Sequence, residues 1–258
     1  MYEIRYYKLR LRRSLSIIIP AYNEEKRLPA TLERIREYLC AVPWEFAEII
    51  VVDDGSRDAT REVAERAGAR VLANPGNRGK GYSVRHGMLE AKAEWALLTD
   101  ADLSAPIEEL DKLWNAAAQA RATVAIGSRA LDRALIGVRQ PTFRDFSGRF
   151  FNLVMRAVTG LPFHDTQCGF KLFEAAAARE IFSRQRLDGF GFDVEVLYIA
   201  RLLGCQCLEV PVRWNDVAGS KVSLMRGLGA FLDLLRVRWN GIARRYHSKV
   251  PLKSVEVP

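Results

Sequence analysis

Through the first half of the chain, short apolar runs that end in polar clusters alternate with segments of helical spacing. LSIIIPAYNEE (15–25) begins as a buried strand, is broken by Pro20 and ends in a polar loop. In RLPATLERIREYLC (27–40), Leu28, Leu32, Ile35 and Leu39 fall at i, i+4, i+7 and i+11, one face of a helix. AEIIVVDDGSRDATREVAERAG (47–68) repeats the scheme: a β-branched run ends in Asp53-Asp54-Gly55-Ser56, and a helix starts near Asp58 or Thr60. A short strand (70–74), a Gly-rich loop leading into a helix (76–92), a strand (94–102), a helix (106–120) and a strand (122–129) follow. Such alternation predicts βαβ units and a mostly parallel sheet. Sheets of this kind bind ligands beyond the carboxyl ends of their strands. Tyr22-Asn23-Glu24, Asp53-Asp54, Asp100-Ala101-Asp102 and Gly127-Ser128-Arg129 fall at those ends and are expected to converge.

The second half is less regular. Arg133, Arg139, Arg144, Arg149 and Arg156 are interleaved with Phe143, Phe146, Phe150 and Phe151. The segment 189–204 reads as a helix after Asp193, 207–214 as a strand, and the tail from Val222 as one long helix. On that last helix Leu224, Leu228, Phe231, Leu232, Leu235, Trp239 and Ile242 share a face, with Arg226, Asp233, Asn240 and Arg244 opposite. An apolar face with a Trp and a basic surround suits a membrane interface, and equally a helix packed on the domain's own core. The basic start, Arg5, Lys8, Arg10, Arg12 and Arg13, adds to the case for a membrane surface.

Composition narrows this only a little. The 258 residues, 49% hydrophobic and 27% charged, suit one or two domains with a sizeable core. The net charge of +8 suggests an anionic partner without choosing among nucleic acid, nucleotide and phospholipid. No nucleic-acid-binding motif is present, and no nucleic-acid partner is expected. Cys40, Cys168, Cys205 and Cys207 lack zinc-ligand spacing and read as free thiols in a reducing compartment. No signal peptide and no bilayer-spanning stretch is expected.

The candidate chemistry lies at the strand ends. Asp100 and Asp102, one residue apart on an extended chain, point to the same side and repel unless water screens them or a cation intervenes. A solvated turn that caps a helix is one account; Mg²⁺ or Mn²⁺ bound by carboxylates plus substrate phosphates is the other. Asp53 and Asp54 can accept from a base or a ribose hydroxyl, or serve a turn at Gly55 and a helix capped by Asp58. GNRGKG (76–81), with Lys80, matches neither the Walker pattern nor GxGxxG, so it is either a phosphate-cradling loop of another kind or a surface loop.

Taken together, SIIIPAYNEE, IIVVDDGSRDAT, NRGKGYSVRHGM, LLTDADLS and AIGSR, in this order, resemble the family 2 glycosyltransferases of the GT-A fold over about residues 14–225. Within that family, DTQCGFKLF and FDVEVLYIARLLG are similar to the dolichyl-phosphate β-glucosyltransferases. The resemblance implies a nucleotide-binding α/β/α sandwich with a mostly parallel central sheet and a C-terminal amphipathic helix. Residues 1–221 would form the GT-A domain, with donor-binding (14–129) and acceptor-binding (130–221) halves, followed by a helix and tail (222–258). Eukaryotic members carry an N-terminal membrane anchor, which this sequence is expected to lack.

The same resemblance implies roles. Asp102 would contact Mg²⁺ or Mn²⁺, and Asp100 the cation or the ribose and sugar-phosphate side. Pro20, Tyr22, Glu24, Val52, Asp53, Asp54, Lys80 and Ala101 would line the nucleotide-sugar pocket. Arg129 would reach the sugar or the phosphates, and Lys221, in AGSKVS, the diphosphate; Arg213 is a misplaced match for a second basic residue there. Arg139, Arg144 and Arg149 would hold the acceptor phosphate. Asp165 would orient sugar hydroxyls, or assist as a base if the acceptor were a hydroxyl; Asp193 either joins the site or simply caps the helix that follows. The expected reaction is inverting, metal-dependent transfer of glucose from UDP-glucose to a dolichyl or undecaprenyl phosphate, at the cytoplasmic face of a membrane. A GDP-mannose-dependent mannosyltransferase, a sugar transfer to a hydroxyl acceptor, and a non-catalytic membrane or nucleic-acid binding protein are the alternatives.

Overall fold

The computed structural model describes residues 14–138, 142–216, 224–250 and 252. The chain runs β1 (Ser14–Ala21), α1 (Leu28–Ala41), β2 (Phe46–Asp53), α2 (Thr60–Arg66), β3 (Arg70–Ala73), α3 (Lys80–Glu90), β4 (Trp95–Leu98), α4 (Leu110–Ala120) and β5 (Val124–Ser128). It continues through β6 (Ile136–Val138), α5 (Thr142–Thr159), β7 (Lys171–Glu174), α6 (Ala175–Phe182), α7 (Phe192–Leu202), β8 (Cys207–Pro211), β9 (Trp214–Asn215) and α8 (Leu224–Ile242). Side chains are described from Phe151 on in α5 and from Phe231 on in α8.

Seven strands form one sheet in the order β3-β2-β1-β4-β7-β5-β8. All neighbours are parallel except β7, which lies antiparallel between β4 and β5. β7 and β8 come from the second half of the chain, so both halves share one sheet. Period-two alternation sorts the core. Ile18, Ile50, Val52 and Leu98 face one apolar layer with Val84 and Phe192; Ile17, Ile19 and Leu97 face another with Leu28, Leu32 and Ile35.

Pro20 does not break β1 as expected. The strand continues through it to Ala21, paired with Val52 of β2. On the other side the Ile18 carbonyl accepts from Thr99 at 3.1 Å, just after β4 ends at Leu98. Pro20 faces that same side two residues on, beyond the last β4 partner, so its missing N–H costs no ladder bond.

α8 also differs from the expected single face. Leu234 and Val237 are buried, as is Tyr246 in the turn that follows the helix, and Phe231 stacks edge-to-face on Phe151 of α5 at 5.3 Å. Leu232, Leu235, Trp239 and Ile242 are 57%, 58%, 61% and 61% exposed. The helix therefore packs on the domain through one stripe and presents a second apolar stripe outward. Leu224, Leu228 and Arg226 fall outside the described side chains. Among the described residues, no helix is long and apolar enough to cross a membrane.

Candidate active site

The parallel strands β1, β2, β4 and β5 end at one edge of the sheet, and the acidic clusters meet there. Pro20, Tyr22, Glu24, Asp54, Lys80, Asp100, Ala101 and Asp102 line a single cleft of about 420 Å³. Arg27, Asn77, Gly79, Ser83 and Phe190, which sequence reasoning did not single out, line it too. Val52 does not: it is fully buried in the core beneath α3, because the strand's alternation turns it away from the ligand edge. Asp53 is likewise turned into a local role, accepting from the Ser56 N–H at 3.1 Å in the turn that Gly55 (φ 73°) permits.

Asp54 holds the glycine-rich loop. Its carboxylate accepts from the N–H groups of Arg78 (2.9 Å) and Gly79 (2.8 Å) and from Asn74 Nδ2 (2.8 Å). Both oxygens are thereby engaged by the loop that starts α3, which accounts for the carboxylate without a nucleobase or ribose. Gly79 sits at φ 104°, a backbone that favours glycine, and brings Lys80 to the first turn of α3. Asp58 accepts from the Thr60 N–H at 3.1 Å, one residue before the formal cap Ala59 of α2.

Two cations face the carboxylates. Lys80 Nζ lies 2.6 Å from Asp100 Oδ1. Burial works against its charge, but Asp100, Asp193 and Asp102 outweigh it and hold the ammonium above its ordinary pKa. Arg27 forms a two-point pair with Glu24, 2.7 Å on each arm, and is raised chiefly by that bond, with Asp102 and Asp100 contributing. Asp102 Oδ1 accepts from Ser104 N (3.0 Å) and Ser104 Oγ (2.9 Å), which fixes the turn after Asp100. Gly169 lies against this corner: a Cβ there would fall 2.1 Å from Asp100 Oδ2.

Next to the cleft, at the end of β5, Arg129 makes a fork with Asp165: Nε to Oδ2 at 2.7 Å and a terminal nitrogen to Oδ1 at 2.8 Å. Burial pushes Asp165 toward the neutral form, yet Arg129 holds it below the usual carboxylate range. The Arg129 plane lies 5.3 Å from the Trp214 ring centre, and Glu209 accepts from the Asp165 N–H at 2.8 Å. Asp165 is thus committed as a counter-ion and is a poor base in this state. Arg129 is committed to Asp165 rather than projecting into the cleft. Burial, then Asp165, push the Cys168 thiol up to about 12, so it is no nucleophile.

Asp193 is not a cap. It sits inside the first turn of α7, whose N-terminus has no side-chain cap, and pairs with the fully buried Lys171. Lys171 Nζ also donates to the Cys168 carbonyl at 2.7 Å, beside Gly169. Arg213 instead pairs with Glu109, away from the cleft. Arg139 and Lys221 lie outside the described residues, as do the side chains of Arg144 and Arg149 on α5 and the basic residues 5–13.

The donor set at Asp100 and Asp102 suits a hard divalent cation. Among the described residues no group of three or more His, Cys, Asp or Glu could hold a metal. Two half-buried carboxylates on one open cleft are the arrangement in which Mg²⁺ or Mn²⁺ keeps waters and takes substrate phosphates as further ligands. The charge balance points the same way. Four carboxylates and two cations line the cleft, so the lining is net negative and favours a bound cation.

A family model described as Glycosyl transferase family 2 matches residues 16–182. The chain belongs to that family. This family 2 glycosyltransferase is 41% identical over 226 residues to the dolichyl-phosphate beta-glucosyltransferase of Drosophila melanogaster, covering 81% of this chain and 69% of that protein. It is 36% identical over 247 residues to the enzyme of the same name from Mus musculus, covering 88% and 75%. Among solved structures, the glucosyl-3-phosphoglycerate synthase of Mycobacterium tuberculosis, in complex with Mn²⁺, UDP-glucose and phosphoglyceric acid, superposes with a TM-score of 0.64 at 17% identity. That match covers 95% of this chain and 83% of that one. The glycosyltransferase therefore has the GT-A fold, as its sequence motifs imply.

Proposed function

We propose that the protein transfers glucose from UDP-glucose to a polyprenyl monophosphate, with inversion at the anomeric carbon. The observation that carries this is the 41% identity to a dolichyl-phosphate beta-glucosyltransferase across both the donor and the acceptor halves. The acceptor oxygen of a phosphate is already anionic near neutral pH, so no strong base is required. That agrees with an Asp165 neutralised by Arg129. The work left to the protein is positioning and electrostatics. Tyr22 and the Gly79-Lys80 turn, which Asp54 holds in place, would seat the nucleotide, and Lys80 and Arg27 would face its phosphates. Mg²⁺ or Mn²⁺, held by Asp102 and Asp100, would neutralise the leaving diphosphate. Lys221, Arg139, Arg144 and Arg149 are proposed to reach the diphosphate and the acceptor phosphate.

The test is glucosyl-lipid formation from UDP-glucose and a polyprenyl phosphate, with Mn²⁺ or Mg²⁺ and with EDTA, beside GDP-mannose. Product only with UDP-glucose and metal is expected. Product only from GDP-mannose keeps the site and corrects the sugar, and donor hydrolysis without lipid product points to another acceptor.

The outward stripe of α8 would let the enzyme meet its lipid at the cytoplasmic face of a membrane. Arg236 and Arg238 lie about 80° to either side of the stripe's centre at ~100° per residue, where basic side chains can reach anionic headgroups. Replacing Leu235 and Trp239 together by Glu is expected to lower co-sedimentation with anionic vesicles by more than about tenfold. Turnover of a water-soluble short-chain acceptor should persist. Unchanged vesicle binding would remove α8 from this role.

A further inference from the structure

The loop between α6 and α7 joins the donor site to the C-terminal end of the chain. Its backbone forms the seat of the glycine loop. Leu187 O and Gly189 O lie so close to Gly81 that a Cβ there would fall 2.6 and 2.8 Å away, and Asp188 O would meet one at Gly79 at 2.5 Å. Asp188 O accepts from the Tyr82 N–H at 3.2 Å. Gln185 Nε2 bridges Gly81 O (2.9 Å) and Leu187 O (2.8 Å). Phe190, at the end of the same loop, lines the cleft.

A single carboxylate holds this loop from behind. Glu195 of α7 is fully buried. Its Oε2 accepts from the N–H groups of Arg186 (3.0 Å) and Leu187 (2.8 Å), and its Oε1 from Tyr246 Oη at 2.9 Å. Among the described residues, the charged or titratable groups that face it come from three elements. Arg186 comes from the loop, Arg85 from α3 and Tyr246 from the turn after α8. Arg85 is engaged by the Phe182 carbonyl at 3.0 Å and by the Val250 carbonyl. Burial pushes Glu195 up to about 7, with the loop N–H bonds and Tyr246 opposing that rise.

We propose that Glu195 is a positioning residue for the donor pocket: its ionised form grips the 185–190 loop, and through it seats Gly79-Lys80-Gly81 for the sugar nucleotide. In the loosened seat Glu195 stays enclosed by α7 but loses the two loop N–H donors that favour its anion, so its pKa there is higher still and protonation favours the loosened state. Donor binding then weakens as pH falls through about 7. The donor arm rests on the function proposed above; the loop arm does not.

Two measurements across pH 6 to 8 test it. In the ligand-free protein, amide exchange at Leu187 and Tyr82, corrected for intrinsic rates, is expected to lose about fivefold in protection toward pH 6. UDP-glucose affinity by calorimetry is expected to fall by a similar factor; that donor has no phosphate group titrating in this window. Glu195→Gln should flatten both profiles. Tyr246→Phe, which removes a donor favouring the anion, should move the midpoint upward. Flat wild-type profiles, or wild-type pH dependence persisting in Glu195→Gln, overturn the proposal. If UDP-glucose fails to bind at every pH while the exchange profile behaves as described, the donor assignment fails and the role of Glu195 stands.

Discussion

Asp102→Asn is expected to lower turnover by about 10²–10³-fold, the scale of removing one group that stabilises developing charge. The amide keeps an oxygen to accept from Ser104 N and Ser104 Oγ, so the turn after Asp100 should survive. The melting temperature should therefore stay within a few degrees of wild type, while the Mn²⁺-dependent gain in UDP affinity disappears. Those two readouts separate loss of a cation ligand from loss of structure. Wild-type turnover in Asp102→Asn would sink the metal assignment. Asp100→Asn is a harsher change, because it also leaves Lys80 without its ionised partner in a mostly enclosed position. Its loss cannot be credited to the metal alone.

The convergence of the acidic clusters was legible because parallel βαβ units bring every strand's carboxyl end to one edge, whatever the side chains there. The alternation over 15–129 was enough for that. What each carboxylate touches was not legible. Asp54 is spent on the backbone of residues 78 and 79, a contact that depends on how the glycine loop folds back. Arg27 follows Glu24 by three residues at the start of α1, so that pair had a local signal, but Glu24 drew attention only as a pocket residue. β7 was missed because a fully buried lysine opens it, against every hydrophobic pattern for a central strand. The second face of α8 was hidden for a different reason: its apolar residues cover more than one stripe, and a helical wheel does not say which stripe meets α5 and α7.

That buried lysine carries the other large expected effect. Lys171 and Asp193 are enclosed almost completely, one at the start of β7 and the other at the start of α7. Lys171→Met strands a carboxylate in the core and is expected to cost ~3–5 kcal/mol of stability, read from denaturant unfolding. The double variant Lys171→Met with Asp193→Leu removes both charges and should recover most of that loss. It should not recover activity. Lys171 also ties down the Cys168 carbonyl, and the next residue, Gly169, packs on the Asp100 carboxylate. A stable double variant with wild-type turnover would show that the pair serves the fold alone. A stable variant with turnover lowered ~10-fold or more, at unchanged donor affinity, would place the pair in the support of Asp100, since a slight misplacement of a reacting group costs rate before it costs binding.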